Sequence, residues 1–243
     1  MQRTAQPQRI TGGVNVRITL LFALFLSILI WLIPGASLIL LPIHPYLTFV
    51  HEGWHALIAV LTGGHVSDVH IFGLNGGGVT GITGGATLLI ASAGYVGSAI
   101  TGATFLALLP RPSALRLAAL VQYLWLAVVA LLWDHDINAW LYLAFFGVVL
   151  AVLARRLPER WFAIAMGFLA LQLNLAVLGD LRTLLVISAF SSTHSDALLA
   201  ASVSHVPSLI WALLWTIISG MLLLWSLRHA LGYPRLRRAS LGV

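Results

Sequence analysis

Residues 51–55 read His-Glu-Gly-Trp-His, which sets His51, Glu52 and His55 at the head of an apolar run. On a helix, side chains four residues apart leave the same face, so two imidazoles at this spacing reach one metal ion. Glu52 then stands beside the ion's open position, where a carboxylate can take a proton from water. An ionisable group in an apolar span costs roughly 3 kcal/mol on insertion scales, so three together need a strong compensating partner. A divalent ion is such a partner. The competing explanation is a buried histidine pair satisfied by backbone or by itself, with Glu52 as counter-ion.

Two imidazoles leave a hydrolytic zinc site one protein ligand short, because such sites carry three plus a water. The chain has no cysteine, so the missing ligand is a carboxylate or a third histidine. Beyond Glu52 and Glu159 the acids are Asp68, Asp134, Asp136, Asp180 and Asp196. Asp180, which shares the apolar stretch LALQLNLAVLGDLRTLL with Asn174, is the first choice. Asp196 in SSTHSDALLA is the alternative, and also reads as a first-turn helix residue with Ser195 or Thr193 as cap. Asn174 and Asp196 are further candidates to orient substrate. His194 and His205 are weaker candidates for the third ligand. Asp134, His135 and Asp136 read as a solvated turn between apolar segments, with an accessory ion site as the alternative. Two histidines and a carboxylate also suit iron, but the motif favours zinc.

The elements that carry these residues belong in a membrane. The 243-residue chain is 60% hydrophobic and 8% charged, and its mean hydropathy is +0.98. Apolar stretches at 17–41, 46–62, 86–109, 114–133, 138–153, 161–179 and 206–227 predict an all-α polytopic membrane protein with six or seven transmembrane helices. The first is read as an uncleaved helix, with a cleaved signal as the alternative. The net charge of +6 comes from thirteen arginines and no lysine, mostly at segment ends. That pattern orients helices in a bilayer and argues against a nucleic-acid-binding face. Alternation of the last segments puts Arg111, Arg116, Arg155, Arg156, Arg160, Arg228, Arg235, Arg237 and Arg238 on one side, predicting a cytoplasmic C-terminus.

Residues 63–85 change texture, becoming glycine-rich with short β-prone pieces around an Asn-Gly turn signal. A β-hairpin or irregular loop is expected after the His-Glu-x-x-His helix, packed over the site or lying at the membrane interface. Its strand edge is a candidate to hold an extended peptide. Gly94, Gly97, Ser98 and Gly102 in GYVGSAITG allow close helix approach. One membrane-embedded domain is expected over 1–243, with basic tails at 1–16 and 229–243.

Together HEGWHALIAVLTGGHV, GLNGGGVT, ASAGYVGSAITGA and SDALLAASVSHVPSLIWALLW, in order along residues 48–225, resemble the M50 membrane zinc metallopeptidases, and within them the M50B-like group. The resemblance implies a site-2-protease-like centre with one zinc, His51 and His55 as ligands and Glu52 as catalytic base. It also implies a membrane-protein or peptide substrate and a bacterial cell (inner) membrane as location. In better understood site-2 proteases the third ligand is the Asp of an Asn...Pro...Leu-Asp-Gly motif; NLAVLGDL here lacks the prolines and the following glycine. The Ser-Asp-Ala of the M50B-like group is matched by Ser195, Asp196 and Ala197. Against a peptidase stand a non-proteolytic membrane scaffold or metal-binding protein, and a transporter. An intact Glu52 disfavours the first, and the confinement of ionisable groups to one motif disfavours the second.

Overall fold

The structure is a computed structural model that describes residues 14–33, 38, 40–72, 77–187 and 195–232, excluding the side chains of 31–32 and 176–187. In chain order the elements are α1 (Val16–Leu32), α2 (His44–Leu61), β1 (His65–Phe72), β2 (Gly77–Thr83), α3 (Thr87–Leu108), α4 (Pro112–Trp133), α5 (Ile137–Arg156), α6 (Glu159–Ile187), α7 (Asp196–Ser204) and α8 (Ser208–Gly232).

The sequence punctuates these helices in understandable ways. The apolar run expected at 17–41 is not one helix: α1 stops at Leu32, and Ile33 is already extended at φ −88°, ψ 118°. Residue 34 is proline, whose ring disfavours helical backbone in the residue before it. Prolines also stand in the first turns of α2 and α4, where a missing N–H costs nothing. Asp136 caps α5 by accepting from the Asn138 amide at 2.9 Å, and Ser195 caps α7 by accepting from the Leu198 amide at 3.3 Å.

Four helices among the described residues, α3, α4, α5 and α8, are long and apolar enough to cross a membrane. This is fewer than the six or seven expected from apolar runs. At 17 residues α1 is short, and α2 spends part of its length on His44, His51, Glu52 and His55. Outward faces of α4, α5 and α8 carry exposed Leu120, Leu131, Trp140, Phe145, Leu213 and Trp225, the composition expected of a surface turned toward lipid.

At the centre lies α3, packed against α2, α6, α7 and α8. Its small residues make that possible. A side chain added at Gly97 would collide with the Trp54 ring, and one at Gly102 with the Asn174 amide. Polar pairs lock the same contacts: Trp54 Nε1 donates to Thr101 Oγ1 at 3.0 Å, and Trp215 Nε1 donates to Ser92 Oγ at 3.1 Å. In α1, Thr19, Ala23 and Ser27 are buried at a spacing of four, one helix face. Ser27 accepts from Gln172 Nε2 of α6 at 3.1 Å.

β1 and β2 form an antiparallel pair in which Val69 stands opposite Thr80 and Ile71 opposite Gly78. A bulge between Val66 and Asp68 absorbs one residue. Without it Val66 and Val69, three apart, would face opposite sides; with it Val66, Val69 and Ile71 are all buried. Gly78, Thr80 and Ile82 share that inward side, and both strands pack on α2.

Arg116 of α4 donates to the Leu157 carbonyl in the α5–α6 turn at 3.4 Å, and its guanidinium lies 5.3 Å from the Phe162 ring centre. The basic ends of three helices are thereby gathered at one end. At the α4–α5 turn, Asp134 is fully buried instead of solvated as the sequence suggests. Its Oδ1 accepts the Asp136 amide at 2.9 Å, closing the turn internally. Burial pushes its carboxyl above the usual range, against the lowering effect of that hydrogen bond.

The tight Gly97–Trp54 contact predicts that Gly97→Ala lowers the stability of the detergent-solubilised protein by about 1–3 kcal/mol through overpacking. Gly220→Ala on α8, with nothing within 4 Å of the added carbon, should be neutral or stabilising. Thermal unfolding of both variants checks the contrast.

Candidate metal centre

His51 and His55 leave α2 on the face turned toward α3. A Cβ at Gly94 would run into His51 Nε2, and would come within 2.5 Å of His55 Nε2. The glycine therefore keeps a small space open over the two ring nitrogens. Tyr95 follows, its ring edge-on to His51 with centroids 4.6 Å apart. Trp215 stacks on Tyr95 at 4.9 Å. The imidazoles themselves are 4.7 Å apart, ring centre to ring centre.

The third group comes from α7. Asp196 is its first residue, held in place by the Ser195 cap and by Ala197 and Ala200, which pack with Ala91 and Trp215 in a small apolar cluster. Its Oδ2 lies 3.1 Å from His51 Nε2 and 3.3 Å from His55 Nε2. Among the described residues, His51, His55 and Asp196 are the one group whose ligand atoms converge, all within 4.8 Å of one another.

This donor set fits a divalent ion. Four ligands about 2.0–2.1 Å from a tetrahedral zinc stand about 3.3 Å from each other, which is the separation found between Asp196 and the imidazoles. The tautomer of His55 fits as well. Its Nδ1 donates to the Ile90 carbonyl at 2.6 Å. A carbonyl only accepts, so the neutral ring carries its proton on Nδ1 and presents the Nε2 lone pair to the site, the outer-shell arrangement usual for histidine ligands.

Glu52 turns from the same helix toward the sheet. It is buried, and its Oε2 accepts from Thr80 Oγ1 at 2.7 Å. Gly78 lies against it: an added Cβ there would stand 2.9 Å from Glu52 Cγ and 3.0 Å from Oε1.

Of the two candidate third ligands, Asp196 is brought to the histidines. Asp180 belongs to α6, but its side chain lies outside the described residues. Asn174 is buried between α6 and α3, donating to the Ala170 carbonyl at 2.9 Å and abutting Gly102. Gly102 is eight residues beyond Gly94, about 12 Å of helix rise, so the amide does not touch the ligand group. His205 closes α7 with φ 59°, nine residues and about 13 Å of rise from Asp196, and does not belong to the converging group. His194 lies outside the described residues. His70 pairs with Asp68 at 3.2 Å on the exposed face of β1.

Sequence reasoning missed Thr80, Gly78 and the Ile90 carbonyl. Only the run GGGVTG hinted at the first two, since repeated glycine marks close backbone approach. A backbone carbonyl has no sequence signal.

Residues 18–226 match the family described as Peptidase M50B-like. The chain belongs to that family. The match spans every site residue named above, and with four apolar helices it makes the protein an integral membrane protein. No curated protein and no solved structure matches the chain.

The space over the imidazoles generates a prediction. Gly94→Ala should close the space: the divalent metal taken up by the detergent-purified chain when zinc is offered, measured by elemental analysis, should fall well below the wild-type level. Full zinc in Gly94→Ala would contradict the packing described.

Proposed function

We propose that the protein is an intramembrane zinc metalloendopeptidase. The observation that carries this reading is the convergence of Asp196 on both imidazoles in a chain of a peptidase family. His51, His55 and Asp196 would hold the ion, with Asp196 taking the role for which Asp180 was the first sequence choice. When bound, zinc supplies Lewis acidity for the scissile carbonyl and lowers the pKa of a water toward about 7.

The residues of the chain divide the remaining work. Glu52 accepts a proton from the attacking water as its oxygen bonds the carbonyl carbon, then delivers that proton to the leaving nitrogen as the C–N bond breaks. The Ile90 carbonyl keeps His55 in the tautomer that leaves Nε2 free. Burial of Glu52 and His55 removes bulk water, which strengthens electrostatic effects at the reacting centre. The antiparallel strand pair beside Glu52 suits an extended, locally unwound peptide, which adds to a sheet edge through main-chain hydrogen bonds. The substrate is thus a membrane protein or membrane-associated peptide. The M50B-like resemblance supports a bacterial cell membrane as its location, and the arginine distribution supports a cytoplasmic C-terminus.

A non-proteolytic scaffold or metal-binding protein would use the histidines but not Glu52. Glu52→Gln keeps the shape of the side chain and removes its basicity. Cleavage of fluorescently labelled casein should fall at least about 100-fold, the scale of general-base catalysis, while zinc content stays at the wild-type level. Undiminished cleavage would contradict the peptidase reading.

A further inference from the structure

The reading of Glu52 as general base leaves open what holds its carboxylate. A glutamate at the edge of a helix has three rotatable side-chain bonds, and proton transfer requires one orientation. We propose that Thr80 is the positioning residue of this site: its hydroxyl fixes Glu52 by donating to Oε2 and leaves Oε1 to exchange protons. This rests on the general-base role proposed above.

Three observations point to it. The Thr80 Oγ1 to Glu52 Oε2 distance is 2.7 Å, that of a charge-assisted O–H···O⁻ hydrogen bond. Thr80 is itself anchored: its strand partner is Val69, which is fully buried, and a β-branched side chain has restricted χ1 freedom. Finally, Gly78, two residues earlier and on the same strand face, has no side chain where one would strike Thr48 and Glu52. The glycine lets β2 descend onto α2, and Thr80 makes the contact that results. The neighbours Val79 and Gly81 face the other way, so this register admits one residue to reach the carboxylate from β2.

The chain contains only two glutamates, Glu52 and Glu159, which gives a readout independent of turnover. In full-length protein carrying Glu159→Gln and isotope-labelled glutamate, the labelled carboxylate infrared band belongs to Glu52 alone. Thr80→Val, which keeps the shape and removes the donor, should shift that band in both zinc-free and zinc-loaded protein. Thr80→Ser, which keeps the donor, should return it toward the wild-type position. With labelled casein, Thr80→Val should lower kcat about ten-fold at unchanged KM, and Thr80→Ser should regain most of the loss. An unshifted band in Thr80→Val overturns the proposal. So does wild-type kcat in Thr80→Val when Glu52→Gln is inactive, or loss of zinc from Thr80→Val, which would make Thr80 a support of the metal site. Activity persisting in Glu52→Gln would instead overturn the peptidase reading, and this proposal with it.

Discussion

A carboxylate and two imidazoles set among apolar helices must largely satisfy one another or share an ion, because His55 is buried and His51 and Asp196 are part-buried, which limits the water that could do it. The contacts of one Asp196 oxygen with both His51 and His55 meet that constraint, and much of the fold is arranged to permit them. Asp196 reaches the histidines from 141 residues beyond His55 in sequence. Its helix is only nine residues long, too short to be stable alone. It depends on the Ser195 cap and on the apolar cluster with Ala91 and Trp215. The central helix α3 serves both sides of the site, with Gly94 against the imidazoles and Ala91 under α7.

Glu52 obeys a separate constraint. It leaves the same helix as the histidines but is satisfied by the sheet, through Thr80. The division is useful chemically. A base that also bonded the ligand atoms would compete for the ion, whereas one held from another element keeps its own geometry. The bulge in β1 contributes at a distance, since it brings Val66, Val69 and Ile71 to one face and so sets the register that presents Thr80.

Part of this was legible in the sequence. The spacing of His51, Glu52 and His55 announced the site because helical periodicity is local, and GYVGSAITG announced close packing because only small residues permit it. The choice between Asp180 and Asp196 was not legible, since it depends on which distant helix packs beside α2. Among the described residues four helices are long and apolar enough to span, and the other apolar runs do not give such helices there because α1 ends at Leu32 and polar residues occupy α2. Asp134 looked solvated because short acidic turns usually are, but it folds inward to accept a backbone amide. Thr80 was invisible because a strand register, set by a bulge, decides which side chain meets Glu52.

The central claim is that Asp196 completes the site begun by the two histidines. Zinc-edge X-ray absorption on wild type and Asp196→His counts imidazole ligands directly. The account predicts two in wild type and three in the variant, since the new histidine would occupy the ligand position on α7. Two in both proteins would place the third ligand elsewhere, and zinc without imidazole in wild type would contradict the metal centre itself.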